Sequence, residues 1–272
     1  MKKQTMFFKG IFMFLCLGIS ALLMVSCSED SDETPTPENE PNVLVSNNAQ
    51  FGNILVDDQG RTLYFFTRDP QTISNCTGGC LDVWPIFFEE NLIVGTGLSA
   101  ADFGVITRGD GQKQNTFKGW PLYYYSPNSD GVIEAAGQTQ GENVGSVWFV
   151  AKPDYDVMLA KQTVGGSEIQ YLVDLSGRTL YYFTNDSNNT SNCDGTCEDN
   201  WPLFKIDVNK LPSSLTAADF GIFTRTDGQQ QATYRGWPLY YYNSDSQRGE
   251  TKGHNVGGVW FVTDEEAAQA PE

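Results

Sequence analysis

The sequence predicts an all-β protein: two tandem homologous antiparallel β domains, sandwich or barrel-like, each an internal duplication. Three observations carry this expectation. LVDDQGRTLYFFTRD from Leu55 returns as LVDLSGRTLYYFTND from Leu172, and GWPLYYY from Gly119 returns from Gly236, a shift of 117 residues in both cases. Similarity locked to one period marks two copies of one folding unit. The runs Thr62–Thr67 and Pro121–Tyr125 are β-branched and aromatic and close in Asp/Asn/Pro clusters, which is strand-and-turn chemistry. A weaker half-period lies inside each copy, with the glycines that open GRTLYFF- and GWPLYYY-like segments at 60, 119, 177 and 236. That fourfold spacing leaves one alternative, a single four-bladed propeller-like array.

Taken in order, residues 1–26 form a signal peptide. Lys2, Lys3 and Lys9 precede an apolar run of fifteen residues, Ile11 to Val25, shorter than the roughly 20 a spanning helix needs. Leu23-Met24-Val25-Ser26-Cys27 resembles a bacterial lipobox, which implies cleavage before Cys27 and lipidation of that residue. Residues 27–42 follow as the lipidated Cys and an acidic tether. Ser28 to Glu40 holds six acids, no base and two prolines, so it buries too little apolar surface to fold. An acidic stretch at this place resembles the surface-export signal of Bacteroidetes lipoproteins, and implies the outer face of an outer membrane. Repeat domain 1 spans 43–153, repeat domain 2 spans 154–264, and 265–272 is a C-terminal tail. Asp57 to Gly60 and Gly109-Asp110-Gly111 are tight-turn material. One helical turn is expected at Ser99–Phe103, and its twin at Thr216.

Composition narrows function. A net charge of −17, with no basic run beyond the first ten residues, excludes a nucleic-acid partner, since phosphates are repelled. A single His leaves no material for a His-built metal site or a Ser-His-Asp triad. Setting aside Cys16 and Cys27, the cysteines form two Cys-x3-Cys pairs. An oxidising envelope predicts one disulfide in each, Cys76–Cys80 and Cys193–Cys197; a redox-active pair and a thiolate metal site are the alternatives. No Cys-x-x-Cys-His is present, so no haem attachment is expected.

The tetrad Tyr64-x-Phe66-x-x-Asp69, the stretch Cys76-x3-Cys80-x3-Trp84-Pro85, Thr107-Arg108-x-Asp110-Gly111-x-x-Gln114, and Gly119-x-Pro121-Leu122-Tyr123 together resemble the bacterial secreted-repeat lipoproteins, a family described by its Tyr-x-(Phe/Trp/Tyr)-x-x-Asp motif. Copy two matches through Tyr181, Phe183, Asp186, Cys193, Cys197, Trp201, Arg225, Asp227, Tyr240, Tyr242 and Asp245. In the second unit Tyr123 and Tyr125 are followed by Asn128 where the motif Asp belongs, with Asp130 two positions on. The resemblance implies an envelope setting but no reaction, because the family has no settled activity.

The motif carboxylates Asp69, Asp186 and Asp245 sit at strand ends, where they are expected to accept backbone N–H bonds and hold turns. A Ca²⁺ role competes, without an Asp-x-Asp-x-Asp loop to support it. Trp84, Trp120, Trp148, Trp201, Trp237 and Trp260 occupy repeat-matched places and are candidate binding aromatics, with core packing as the competing role. In Tyr123-Tyr124-Tyr125 alternate rings must face opposite sides, so one is expected to point outward. His254 replaces Glu142 of copy one and is expected at the surface. The functional expectation is a surface-anchored envelope lipoprotein acting as a non-catalytic binding or structural module, without cofactor, metal or catalytic residue. Its partners are the membrane, through Cys27, and a glycan or envelope protein. The alternatives are an auxiliary of an envelope redox system and a glycoside hydrolase.

Overall fold

The computed structural model describes residues 40–272; the signal peptide, Cys27 and most of the tether lie outside the described residues. Residues 40–272 fall within one compact unit. Copy one opens with a hairpin of β1 (Val43–Asn48) and β2 (Gly52–Asp57) and continues to β3 (Tyr64–Phe66). A one-turn helix α1 (Cys80–Val83) follows, then a 3-10 turn at Ala100–Asp102. β4 (Phe103–Thr107), β5 (Lys113–Phe117) and β6 (Trp120–Pro121) form an antiparallel sheet, and β7 (Trp148–Val150) returns to pair with β3.

Copy two repeats every step. β8 (Met158–Val164) and β9 (Ser167–Val173) make its hairpin, and β10 (Tyr181–Phe183) pairs with β14 (Trp260–Val262). α2 (Thr196–Asn200) and a 3-10 turn at Ala217–Asp219 precede the sheet of β11 (Phe220–Thr224), β12 (Gln230–Tyr234) and β13 (Trp237–Pro238). The repeat boundary at residues 153 and 154 falls between β7 and β8.

The described strands make six sheets of two or three strands, none closed into a barrel. Propeller blades are four-stranded, so the array of four blades does not describe this topology. The 3-10 turns stand where Ala100 and Ala217 predicted them. The helices α1 and α2 were not expected from the sequence. Each disulfide ties the chain just ahead of its helix, the first turns carry Asp82 or Glu198 and Asp199, and acids there suit the positive end of the backbone dipole. The larger apolar cluster runs from Val43 and Leu55 through Phe117 and Leu159 to Leu239 and Val262. The two copies therefore share one core.

Candidate functional site

The two halves of each copy meet at a pair of motif tyrosines. Tyr64 N–H donates to Tyr123 O at 2.8 Å and Tyr123 N–H to Tyr64 O at 3.1 Å; Tyr181 and Tyr240 exchange the same bonds at 2.8 and 2.9 Å. Across this bridge each phenol reaches the other half's carboxylate. Tyr123 donates to Asp69 at 2.5 Å, Tyr240 to Asp186 at 2.7 Å and Tyr181 to Asp245 at 2.6 Å. The fourth phenol, Tyr64, donates to Glu134.

The second oxygen of each carboxylate accepts a backbone N–H six or seven residues on: Asn75 at 2.7 Å, Asn192 at 2.7 Å, Lys252 at 3.0 Å and, for Glu134, Gln140 at 2.9 Å. The motif Asp thus holds a loop, as its position at a strand end predicts, and also locks the two halves together. Asn128 leaves that place empty of charge in the second unit, and Glu134 fills the role. Asp130 bonds locally, to Ser126 Oγ at 3.1 Å and Val132 N–H at 2.9 Å. Glu134 could have been found in the sequence, since it precedes Gln140 by the six residues that separate Asp69 from Asn75.

Burial dominates the electrostatics. It pushes Asp69 up to about 7 and Asp186 up to about 6, against the lowering effect of the tyrosine and backbone donors. Glu134 and Asp245 also move up, through burial first. The phenols of Tyr64, Tyr123, Tyr181 and Tyr240 are raised by the same burial, with their carboxylate partners adding to it.

An arginine pins the disulfide loop to this centre. Arg108 donates to Gln114 Oε1 at 2.7 Å, to Cys76 O at 2.6 Å and to Ser74 Oγ, whose hydroxyl lies 2.6 Å from the Tyr123 phenol. Arg225 repeats the contacts with Gln231 at 2.8 Å, Cys193 O at 2.6 Å and Ser191 Oγ at 2.5 Å, and adds Glu198 at 2.5 Å. Each arginine also pairs with the Asp two residues on, Asp110 or Asp227. The bridges Cys76–Cys80 and Cys193–Cys197 are formed. Among the described residues no group of three or more His, Cys, Asp or Glu is placed to hold a metal ion.

All six tryptophans lie inside. Trp120 is 0 % exposed and Trp237, the most exposed, 9 %, so none offers a face to a planar ligand in solvent. The reason is the thin core: strands of two or three residues bury little unless large rings fill the space between them. Trp84 stacks on Trp148 and Trp201 on Trp260, each pair at 3.8 Å with planes 4° apart. Close approach is enforced by glycine, since a Cβ on Gly141 would stand 2.9 Å from the Tyr64 ring, and one on Gly253 2.8 Å from Tyr181. Tyr125 and Tyr242 are half-buried and supply the outward-facing member of each tyrosine run. His254 is also half-buried rather than superficial: its Nδ1 accepts Val262 N–H at 3.4 Å, the bond that Glu142 accepts from Val150 at 2.6 Å. A shallow groove of about 130 Å³ lies apart from all these residues, lined by Glu89, Leu92, Val94, Phe103, Val105 and Asn115.

Fold and site together define a duplicated β repeat, pinned by disulfides, whose signature residues knit the halves of each copy. The chain belongs to the family described as a secreted repeat of unknown function (Lipoprotein_15), whose model matches residues 46–87, 104–152, 168–205 and 221–263. Those four segments track the four half-units. No curated protein and no solved structure matches the chain.

Proposed function

We propose that this chain is a lipid-anchored protein of the outer membrane surface, held by Cys27 on an acidic tether, whose globular part is a non-catalytic binding or structural module. One observation carries the reading. The signature side chains are engaged with one another: the first tyrosine of each motif, Tyr64, Tyr123, Tyr181 and Tyr240, has a carboxylate, each of those carboxylates has a phenol and a backbone N–H, and each signature arginine has a carbonyl, an amide and a hydroxyl. A repeat so constructed is a frame, and its ligand contacts come from the surface around it. Two frames on one tether favour avidity for an extended partner such as a glycan or another envelope component. The test is electrophoresis of the chain through gels containing envelope polysaccharides, with a parallel assay for new reducing ends. Retardation without cleavage is expected. Cleavage that disappears in an Asp245→Asn variant would establish the glycoside hydrolase instead.

A second reading, an auxiliary of an envelope redox system, is favoured by the ring stacks. They bring indoles into face contact inside a disulfide-bonded secreted domain.

A further inference from the structure

Each copy contains an unbroken column of four aromatic rings. In copy one Phe66 stacks on Trp148 at 4.0 Å, Trp148 on Trp84 at 3.8 Å, and Trp84 meets Tyr125 at 4.6 Å. In copy two the same order runs Phe183, Trp260, Trp201 and Tyr242 at 4.3, 3.8 and 4.3 Å. Aromatic pairs that only fill a core prefer offset or edge-on contacts with centroids about 4.5–7 Å apart, because their quadrupoles repel face to face. Both indole pairs are closer and flatter than that, in two sequences that differ elsewhere. The same order of rings recurs in both copies.

A second feature adjoins it. Tyr123 stands edge-on to Trp148 at 5.0 Å and donates its phenolic proton to Asp69 at 2.5 Å; Tyr240 stands edge-on to Trp260 at 5.1 Å and donates to Asp186 at 2.7 Å. The column thus ends in a half-buried tyrosine on one side and in Phe66 or Phe183 on the other, and a fully buried phenol with its own proton acceptor adjoins the inner indole, Trp148 or Trp260.

We propose that each column is a relay for oxidising equivalents, running from a one-electron oxidant of the peroxyl-radical class at Tyr125 or Tyr242, through the indole pair, to the buried phenol of Tyr123 or Tyr240. The peroxyl radical gains one electron from the column and one proton from solvent and becomes a hydroperoxide. The indole radical cation left behind takes one electron from the phenol. The phenolic proton passes to the Asp69 or Asp186 carboxylate, leaving a neutral tyrosyl radical beside a carboxylic acid. Burial makes a free phenolate costly, so electron and proton leave together, and a carboxylate raised into the neutral range holds the proton. This relay deepens the redox reading and stands or falls separately from glycan or partner binding.

Pulse radiolysis of the full chain with azidyl radicals, which oxidise indole, tests it. Tryptophanyl absorbance is expected to decay into tyrosyl absorbance in a phase independent of protein concentration. The paired variants Tyr123→Phe and Tyr240→Phe should lower the tyrosyl yield about fivefold or more, and Trp148→Phe with Trp260→Phe should slow the phase about tenfold. Asp69→Asn with Asp186→Asn should slow it and remove its dependence on pH between about 5 and 8. If these buried variants do not fold, Tyr125→Phe with Tyr242→Phe, at the half-buried end, must still slow entry of the oxidising equivalent from cumyl peroxyl radicals. An unchanged tyrosyl yield in the folded Tyr123→Phe, Tyr240→Phe chain overturns the relay. So does unchanged peroxyl reactivity in the Tyr125→Phe, Tyr242→Phe chain.

Discussion

Trp120 and Trp237 are the same residue of the repeat, and they are covered by different things. The Trp120 indole N–H donates to Leu175 O of copy two at 2.8 Å, and the Arg248 guanidinium lies 4.5 Å over its ring. In copy two the matching face is covered by residues 265–272. There Trp237 donates to Ala268 O of the C-terminal tail at 2.9 Å, while Ala267 O accepts from Arg235 at 2.8 Å and Ala270 N–H donates to Arg235 O at 2.9 Å. The tail thus does for copy two what copy two does for copy one. Repeat arrays need such terminal caps, because each unit leaves one apolar face to its neighbour. On the copy-two side, the residues at this contact differ from their counterparts in copy one. Leu175 aligns with Asp58, and Arg248 aligns with Ala136. A repeat becomes a pair through a few substitutions on one face.

The contact between the copies depends most on Arg248. Its guanidinium donates to Gly119 O at 2.8 Å, Asp69 O at 3.2 Å and Thr72 Oγ1 at 3.3 Å in copy one, and to Ser176 O at 3.2 Å in its own copy. Arg248→Ala should cost about 2–4 kcal/mol in urea unfolding, because it strands buried carbonyl acceptors and uncovers Trp120. Arg248→Lys should recover less than half of it, since an ammonium cannot fork to several carbonyls and lie flat on indole. Two separated transitions in the Ala variant would show that the copies fold independently once uncoupled; a neutral effect of both variants would refute the coupling role.

Next in size is deletion of residues 265–272. It removes the acceptors of Trp237, Arg235 and Tyr234, the last bonded to Glu265 O at 2.5 Å, and should destabilise by about 2–3 kcal/mol. The loss should also leave a local signature. Hydrogen exchange should rise at β11–β13 and stay unchanged at β4–β6, which copy two itself covers. Equal exposure of both sheets would mean that the tail is no cap.

Much of this was legible in the sequence. Period and composition predict the doubling, the strands and the turns, and Asp57 and Gly60 close the turn they promised, with Gly60 at φ 76° and its N–H on Asp57 O at 3.0 Å. The cysteine spacing predicts both bridges. The strands came out shorter than the aromatic runs, Tyr64–Phe66 rather than Thr62–Thr67, because the flanking residues turn to carry side-chain bonds such as Thr62 Oγ1 to Gln138 O at 2.6 Å. What was not legible is which half's carboxylate serves which tyrosine. That pairing is set by the antiparallel bridge between residues 59 apart, and no local pattern encodes it. The burial of all six tryptophans was equally hidden, since a ring on a two-residue strand reads alike whether a core or a ligand covers it.

The knit of tyrosine and carboxylate is common to both copies, and pH should act on it in both. Asp69 and Asp186 have folded-state values above those of an unfolded chain, so the folded state binds these protons more tightly than the unfolded state does. Their stabilisation is full below the unfolded value and is lost as pH rises through about 6 to 7. The unfolding free energy from urea titration should therefore increase from about pH 8 toward pH 5, by an amount on the order of a few kcal/mol. Asp69→Asn should flatten the curve near pH 7 more than Asp186→Asn does. A midpoint that falls steadily over that range would show that the motif carboxylates are charged in the fold.

The smallest effect separates the copies again, at Glu142 and His254. Both accept the N–H of the last motif strand, but they titrate in opposite senses. Burial raises Glu142, so acid favours copy one; burial lowers His254, whose neutral ring is the one that accepts from Val262. The contribution of His254 is present above the ordinary histidine range and is lost as pH falls through its lowered value. Acidification should thus loosen this one contact in copy two while tightening the carboxylates around it. Exchange of the Val262 amide should accelerate below about pH 6, whereas the Val150 amide should stay protected. His254→Glu should make the two amides behave alike, with a change in Tm of less than about 2 °C. If the Val262 amide keeps its protection in acid, the ring is not its acceptor, and the difference between the copies ends at the face that joins them.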